Sequence, residues 1–193
     1  MEILQKNNIK KIVELLTKDK VVALPTDTVY GFSCLATSEV ATNKIYELKQ
    51  RNNSKQFIVL VSKNYDITKL INVNPQIMQL IKNNTPAPLT MIVQKNQNIN
   101  LASSFVMPTL AIRIPDDEFL QSILESVGFM VSTSCNLENQ PFLNTYQEIQ
   151  EQFKNLDAIV IDNNIKQTKP STIIDLTTNP YSIVRQGEYN LKN

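Results

Sequence analysis

Short apolar runs alternate with helix-periodic segments along most of this chain, and this alternation limits the fold more than any other feature of the sequence. Residues 57–61 are so uniformly apolar that they predict a strand buried on both faces. The last three predicted strands are separated by too little chain for helical crossovers, so we expect a mixed α/β sheet. The predicted helices cover residues 9–18, 38–48, 75–82, 116–127 and 145–153, and the predicted strands cover residues 21–24, 57–61, 89–94, 110–115, 129–136, 158–162, 171–176 and 182–185.

The length of the chain indicates a single domain. Its 193 residues, of which 42% are hydrophobic, are sufficient for one substantial core. The sequence shows no internal repeat, low-complexity tract or linker, so it predicts one domain over residues 1–193. Residues 95–108 are polar and irregular. This segment is either a mobile loop near a ligand or a surface excursion, and the pattern favours the second.

Residue counts exclude several kinds of site. The chain has no histidine, which rules out Ser-His-Asp and Cys-His nucleophiles. Cys34 and Cys135 are too few for a structural zinc site, and the general behaviour of free cysteine favours two core residues over a redox pair. The three glycines, Gly31, Gly128 and Gly187, cannot form a Walker P-loop or a GxGxxG turn.

Charge and hydropathy limit the surroundings of the protein. Nineteen Lys and Arg residues against 18 Asp and Glu give a net charge of +1, so any basic binding site must be local. The sequence shows no basic and apolar N-terminal signal and no apolar run of about 18 residues. We therefore expect a soluble cytoplasmic protein with reduced thiols and no membrane partner.

Polar side chains follow the ends of several predicted elements. Thr26 and Thr28 come directly after strand 21–24, and open α/β sheets bind ligands at the C-terminal ends of their strands. Lys49 and Arg51 close the next helix, where both side chains can turn towards one anion. The later elements contribute Arg113, Ser134, Asn136, Ser171, Thr172 and Arg185.

Each of these residues also has a structural interpretation. Arg113 alone favours an ion pair with Asp116, Asp117 or another buried carboxylate. Lys49 and Arg51 alone are typical of a solvated helix C-terminus. Taken together, three arginines and a lysine beside hydroxyls indicate a site that positions anions and stabilises a charge-rich transition state. Phosphoryl or nucleotidyl transfer needs such a site.

Seven motifs, in order and at compatible spacing, resemble those of the YrdC-like L-threonylcarbamoyladenylate synthases. They span about residues 21–187, and the chain is similar to the short, single-domain form of that family. The resemblance implies an α/β fold with a YrdC-like twisted mixed sheet flanked by helices and a concave basic cleft. The motifs are residues 25–31 (PTDTVYG), 47–51 (ELKQR), 88–90 (PLT), 111–113 (AIR), 132–136 (STSCN), 170–172 (PST) and 184–187 (VRQG).

The resemblance also implies a reaction. L-threonine, bicarbonate and ATP would become threonylcarbamoyl-AMP and pyrophosphate, which would make the protein a nucleotidyltransferase. The product would supply a threonylcarbamoyl transferase complex that modifies adenosine 37 of tRNA. ATP is then a substrate, and Mg²⁺ is expected on its phosphates with no metal site in the protein.

Roles for individual residues follow from the same resemblance. Arg113 would hold the threonine carboxylate, and Lys49 with Arg51 would be the catalytic cations. The other amino acid contacts would be Thr28, Ser134 and Ser171. The ATP contacts would be Lys49, Arg51, Lys55, Thr109, Asn136, Asn144 and Arg185.

Two further interpretations are considered beside the enzyme. A non-catalytic module of the same fold could bind tRNA or double-stranded RNA through its basic face, with an affinity that falls steeply with salt. A carbamoyl-adenylate relative in hydrogenase maturation is disfavoured, because such domains belong to much longer chains with zinc-finger segments. The enzyme leads because all four central cations are present: Lys49, Arg51, Arg113 and Arg185.

Overall fold

The computed structural model describes residues 1–52, 55–162 and 169–192. Within these residues the chain forms five α-helices, one short 3-10 helix (Ile67–Lys69) and eleven strands. The helices are α1 Ile9–Thr17, α2 Glu39–Lys49, α3 Pro75–Asn84, α4 Glu118–Val127 and α5 Tyr146–Gln152. The strands are β1 Glu2–Gln5, β2 Val22–Leu24, β3 Gly31–Cys34, β4 Ile58–Val61, β5 Ile71–Asn72, β6 Leu89–Lys95, β7 Thr109–Arg113, β8 Phe129–Ser134, β9 Ala158–Ile161, β10 Thr172–Asp175 and β11 Ser182–Arg185.

All described strands belong to one twisted sheet. Their order is β1-β9-β2-β3-β8-β4-β7-β6-β10-β11, and β5 pairs with β6 beside this path. The pairs β1 with β9, β2 with β9, β4 with β7 and β6 with β10 are parallel. Hairpin-like neighbours such as β2 with β3 and β6 with β7 are antiparallel. The prediction of a mixed sheet is confirmed.

Two hydrophobic clusters lie on opposite faces of the sheet. Val22 and Leu24 pack in the cluster that contains the apolar faces of α1 and α4. Ala23, between them, belongs to the cluster that includes residues of α2, α3 and α5. Since successive strand residues face opposite sides, both sides of the strand are covered. This double cover explains why the central strands are uniformly apolar instead of alternating.

Helix α2 places the basic Lys49–Arg51 segment. The Ser38 hydroxyl accepts a hydrogen bond from the Ala41 backbone N at 3.1 Å, so the predicted N-cap is confirmed. The helix ends at Lys49 because Gln50 adopts a left-handed conformation, with φ of 49°. This turn sends the side chains of Lys49 and Arg51 in separate directions from the helix end.

The other four predicted helices are present with small shifts at their ends. Asp117 caps α4, with Oδ1 2.8 Å from the Leu120 backbone N. Thr145 and Glu148 form a capping box at the start of α5. Among the described helices, none combines the length and the apolar character needed to cross a bilayer.

Three strands were not predicted from the sequence. β1 and β5 are short and lie at or beside the edge of the sheet. β3 has the sequence GFSC, which lacks β-branched residues. It is a strand because it pairs with β2 on one side and with β8 on the other, so tertiary pairing overrides its weak local preference.

Residues 95–108 form a loop that is fastened to the rest of the protein. The Ala102 backbone N donates to the Ala36 carbonyl at 2.9 Å, and the Ser103 hydroxyl donates to Glu39 at 2.8 Å. Ala102 and Phe105 are buried. This packing agrees with the favoured interpretation, a surface excursion.

Candidate functional site

A cavity of about 400 Å³ lies over one face of the sheet. Its floor is a row of laterally paired strand residues. Ser132 of β8 faces Ile58 of β4, and Ile58 faces Ala111 of β7. Ala111 in turn faces Ile92 of β6. The rim includes residues of the β2–β3 connection and of the 170–171 segment, so a sheet face is the base of the site.

This position corrects one expectation from the sequence. Thr26 and Thr28 were expected at an open C-terminal strand edge, whereas both line a cavity on the sheet face. The physical reason is the unpredicted strand β3. Because Leu24 pairs with Gly31, residues 25–30 are the connection of an antiparallel hairpin rather than the free end of a parallel strand.

Internal hydrogen bonds fix the β2–β3 connection. The Thr26 hydroxyl donates to the Val29 carbonyl at 2.7 Å and accepts from the Thr28 backbone N at 3.1 Å. The two threonine hydroxyls are 3.0 Å apart. A Cβ atom at Gly31 would overlap the Ser132 hydroxyl, so glycine is needed for this close approach. The connection therefore presents the Thr28 hydroxyl in a defined place.

Arg113, the last residue of β7, is held by two residues of that connection. Its Nη2 lies 3.2 Å from Asp27 Oδ1, and its Nη1 donates to the Thr28 hydroxyl at 3.1 Å. The side chains of Arg113 and Asp27 are only 5% and 7% exposed. Burial raises the pKa of Asp27 above its ordinary value, and the Arg113 charge opposes that rise. The buried carboxylate expected beside Arg113 is thus Asp27, not Asp116 or Asp117.

Lys49 does not line the cavity itself, but it contacts Ser134, which does. Its Nζ donates to the carbonyl oxygens of Ser134 at 2.5 Å and Asn136 at 2.9 Å, and to Asn136 Oδ1 at 2.9 Å. Only 2% of the residue is exposed. Burial lowers the pKa of Lys49 to about 8, and the nearby Arg51 charge acts in the same direction. The structural alternative, a solvated helix C-terminus, therefore does not describe Lys49, which is a buried ammonium group bound to the end of β8.

The Ser134–Asn136 segment is closed by its own side chains. The Ser134 hydroxyl donates to Asn136 Oδ1 at 2.6 Å, and Asn136 Nδ2 donates to the carbonyl oxygens of Leu137 at 2.8 Å and Gln140 at 2.7 Å. Ser134 lines the cavity, whereas Asn136 lies outside its wall in the described structure. Asn136 thus connects Lys49 with a hydroxyl that reaches the cavity.

Arg51 lines the cavity from the side of β4. Its Nη2 donates to the Gln56 carbonyl at 2.8 Å, and its guanidinium carbon lies 5.2 Å from the centre of the Phe57 ring. Burial lowers the pKa of Arg51, but a guanidinium remains ionised at any ordinary pH. The left-handed Gln50 lets this cation reach the cavity while Lys49 turns elsewhere.

Arg185 and Ser171 form the opposite wall. Arg185 donates from Nε and Nη2 to the Ser171 carbonyl at 3.2 Å and 2.9 Å. The Ser171 hydroxyl lies 2.8 Å from the Thr90 hydroxyl. Thr90 is fully buried, lines the cavity and was not predicted as a site residue. The sequence feature that could have identified Thr90 is its position in the 88–90 motif.

Besides Thr26, the cavity wall contains six of the eleven residues to which the family resemblance assigns a role. The remaining ones lie outside it: Lys55 is ion-paired with Glu138 at 2.6 Å, and the Asn144 backbone N donates to Glu148 at 3.1 Å. Thr109 is half-buried at the start of β7. The six residues that line the cavity are Thr28, Arg51, Arg113, Ser134, Ser171 and Arg185.

The arrangement is chemically suited to anions. Three guanidinium groups and several hydroxyls face one cavity, and Arg113 lowers the pKa of Arg185 through the repulsion of like charges, after the larger effect of burial. The residues described show no cluster of carboxylates, thiolates or imidazoles able to hold a metal ion. Cys34 and Cys135 are both buried and free, as expected for core residues, and burial raises the pKa of both thiols.

Comparison with known proteins identifies related chains. Residues 14–187 match the Sua5/YciO/YrdC family model, whose description is telomere recombination. The threonylcarbamoyl-AMP synthase of Histophilus somni (strain 2336) is 35% identical over 185 residues, which cover 93% of this chain and 100% of that protein. The enzyme of the same name from Neisseria gonorrhoeae is 32% identical over 177 residues, covering 86% of this chain and 89% of that one.

A solved structure shows the same fold. Sua5 from P. abyssi, complexed with L-threonine, superposes with a TM-score of 0.88 at 25% identity. The superposition covers 97% of this chain but only 58% of the P. abyssi chain. The present chain therefore spans little more than half the length of that relative.

Proposed function

We infer that this chain, which belongs to the Sua5/YciO/YrdC family, is an L-threonylcarbamoyladenylate synthase. The observation that carries the proposal is the convergence of Arg51, Arg113 and Arg185 with hydroxyl groups in one cavity. Three fixed positive charges suit a reaction whose substrates are a carboxylate, bicarbonate and a triphosphate. The names of the relatives support the same activity.

The proposed reaction has two steps. The threonine amine attacks the carbon of bicarbonate, and loss of water leaves an N-carboxylate. An oxygen of that carboxylate then attacks the α-phosphorus of ATP, the bond to the pyrophosphate oxygen breaks, and threonylcarbamoyl-AMP and pyrophosphate are formed. Both steps bring anions together, so alignment and charge neutralisation are the main tasks of the protein.

On the amino acid side, Arg113 binds the threonine carboxylate in this proposal. Thr28, Ser134 and Ser171 supply hydroxyls around it. Thr28 is well placed because its hydroxyl already accepts from Arg113, and Ser171 is well placed because it lies on the cavity wall beside Arg185. An arginine is suited to a carboxylate because its planar fork can donate two parallel hydrogen bonds.

On the nucleotide side, Arg51 and Arg185 bind ATP phosphates from opposite walls. Lys49 and Asn136 take part only if the hydrogen bonds between them exchange for bonds to the nucleotide. The lysine donates to the carbonyl oxygen of Ser134, a cavity residue, so it lies close to the cavity. The more peripheral ATP contacts in the proposal are Lys55, Thr109 and Asn144.

Mg²⁺ fits this site as a companion of the nucleotide. The cavity offers cations and hydroxyls, and Mg²⁺ binds through phosphates and waters with few protein carboxylates. When bound, it neutralises charge on the phosphates. The residues of this chain then orient the triphosphate through Arg51 and Arg185.

The product defines the remaining partners. We propose that threonylcarbamoyl-AMP is passed to a threonylcarbamoyl transferase complex that modifies adenosine 37 of tRNA. Such a reaction is expected in the cytoplasm, where tRNA and ATP are available. The formation of threonylcarbamoyl-AMP does not require this chain to bind tRNA directly.

A pyrophosphate-release assay tests the proposed function. The full chain is incubated with Mg-ATP, bicarbonate and L-threonine, and each of the last two is omitted in turn. We expect pyrophosphate only with the complete set. Release of pyrophosphate without threonine, or no release at all, would contradict the proposal.

A further inference from the structure

The carboxylate of Asp27 is the buried charge that the proposed mechanism does not use. Its side chain is 7% exposed and its Oδ1 lies 3.2 Å from Arg113 Nη2. Among the described residues, neither carboxylate oxygen makes a hydrogen bond of good geometry, although the backbone N–H groups of Asp116 and Asp27 lie near enough to oppose the rise of its pKa. A buried carboxylate with so few partners is costly, so its presence needs a reason.

Asp27 and Thr28 hold the two terminal nitrogens of the same guanidinium. Nη2 faces Asp27 and Nη1 donates to Thr28, so consecutive residues of one connection fix Arg113 from one side. The contact is long-range in the fold. Strands β8 and β4 lie between β3 and β7 in the sheet, so the β2–β3 connection must reach across both strands to meet the end of β7.

We propose that Asp27 is the positioning residue of Arg113, whose guanidinium it holds in a fixed rotamer for the carboxylate of the amino acid substrate. The inference rests on the proposed function, because it takes Arg113 as the ligand of that carboxylate. Asp27 acts through Arg113 and does not line the cavity. A long side chain that is ordered before binding loses less freedom when its ligand arrives, so preorganisation raises affinity.

A positioning role differs from a purely structural one in its effect on the two substrates. Arg113 meets the amino acid, whereas Arg51 on the other wall is held by Gln56 and Phe57. Loss of Asp27 should therefore weaken binding of the amino acid and spare the nucleotide. General loosening of the β2–β3 connection would weaken both ligands, because Thr26 and Gly31 also line the shared cavity.

The test compares Asp27→Asn with Asp117→Asn. Asp117 carries the same charge close to Asp27, but it caps α4 and has no contact with Arg113 in the structure, and asparagine caps a helix equally well. Dissociation constants for L-threonine and for Mg-ATP are measured separately by calorimetry. We expect Asp27→Asn to weaken threonine binding at least tenfold and ATP binding less than twofold, and Asp117→Asn to change each less than twofold.

A second pair of variants tests whether Asp27 acts through Arg113. Asp27→Asn alone leaves the arginine charge buried without its partner, so this variant can unfold. The double variant Asp27→Asn/Arg113→Gln removes both charges and is compared with Arg113→Gln alone. We expect their threonine dissociation constants to agree within twofold. A larger difference would show that Asp27 acts on the ligand by another route.

Several results would overturn the inference. They are an unchanged threonine affinity in Asp27→Asn, an equal loss for threonine and ATP, or an equal loss in Asp117→Asn. Failure of the proposed function is recognised separately. If the proposed function is wrong, the unmodified chain does not bind L-threonine. If only the inference about Asp27 is wrong, the unmodified chain binds L-threonine but the variants do not differ as expected.

Discussion

The Nζ atom of Lys49 lies 2.9 Å from Oδ1 of Asn136, so a partly buried hydrogen bond joins the end of α2 to the segment that follows β8. The same Oδ1 accepts from the Ser134 hydroxyl, which faces the cavity. A chain of three polar groups thus connects the amino acid side of the site with a lysine that is proposed to act on the nucleotide. Two predictions concern this lysine.

The first prediction concerns turnover. Lys49→Met keeps the length of the side chain and removes its charge, so we expect kcat to fall while KM for threonine changes little. Loss of a charged hydrogen-bond partner costs about 1.5 to 3 kcal/mol, which corresponds to roughly a 10- to 150-fold decrease. Steady-state pyrophosphate release measures it, with the exposed Lys10→Met as the control. A rise in the threonine KM with unchanged kcat would refute this assignment.

The second prediction is a pH dependence of stability. Burial lowers the Lys49 pKa from 10.5 to about 8 in the folded protein, so between these values the unfolded chain binds more protons than the folded one. Stability contributed by this group therefore rises as pH increases through that window. Between pH 7 and pH 10, the melting temperature of the wild type should rise relative to that of Lys49→Met. A difference between the two proteins that is constant with pH would disprove the shift.

The third prediction separates the substrates. Arg113→Ala should raise KM for threonine by roughly 10- to 150-fold, from about 1.5 to 3 kcal/mol for a lost charged partner, with a smaller effect on ATP. Arg51→Ala should show the opposite preference, because this residue lies on the other wall of the cavity. The measurement is the KM for threonine and the KM for ATP, determined for both variants under the same conditions. If both variants raise the KM for threonine and the KM for ATP by similar factors, the proposed division of the cavity into an amino acid side and a nucleotide side is wrong.

The fourth prediction concerns the two buried hydroxyls of Thr90 and Ser171. Thr90→Val preserves shape but removes the partner that lies 2.8 Å from the Ser171 hydroxyl. A neutral hydrogen bond contributes about 0.5 to 1.5 kcal/mol, so threonine affinity should fall by roughly 2- to 12-fold. Thr90→Ser keeps the hydroxyl and should retain most of the affinity. Equal behaviour of the two variants would show that Ser171 needs no such partner.

The fifth prediction concerns the Arg185–Gly187 segment. A Cβ atom at Gly187 would overlap the backbone of Pro170, Ser171 and Thr172, which are backbone neighbours that cannot rotate away. Gly187→Ala should therefore lower both the melting temperature and threonine affinity, since Ser171 must shift. Exposed Glu188→Ala is the control and should change neither. A Gly187→Ala variant with the wild-type melting temperature would mean that this segment can shift without loss of stability.

The fold could be predicted largely because the strands and helices carry strong periodic patterns. Residues 57–61 revealed a strand covered on both faces, and Ser38 marked the start of α2. Strand β3 could not be predicted, because its sequence has weak strand preference and its stability comes from pairing with β2 and β8. Lateral pairing depends on residues far apart in sequence. The sequence therefore predicted the elements better than the cavity floor that they form.

The site was predictable in its residue types and less so in its contacts. The apolar strand around Arg113 favoured an ion pair with Asp116, Asp117 or another buried carboxylate, and the sequence did not say which. The partner is Asp27, because the hairpin connection reaches across β8 and β4 to the end of β7. Lys49 was expected to reach a ligand, yet it is bonded to Asn136. Such contacts depend on how strands are ordered in the sheet, which local patterns do not specify.

The most direct test of the central claim is to identify the product. The purified chain is incubated with L-threonine, Mg-ATP and ¹³C-labelled bicarbonate, and the nucleotides are analysed at once by mass spectrometry. We expect a species with the mass of threonylcarbamoyl-AMP that carries one ¹³C atom and disappears when threonine is omitted. An adenylate without the label, or ATP that is left intact under all conditions, would contradict the account.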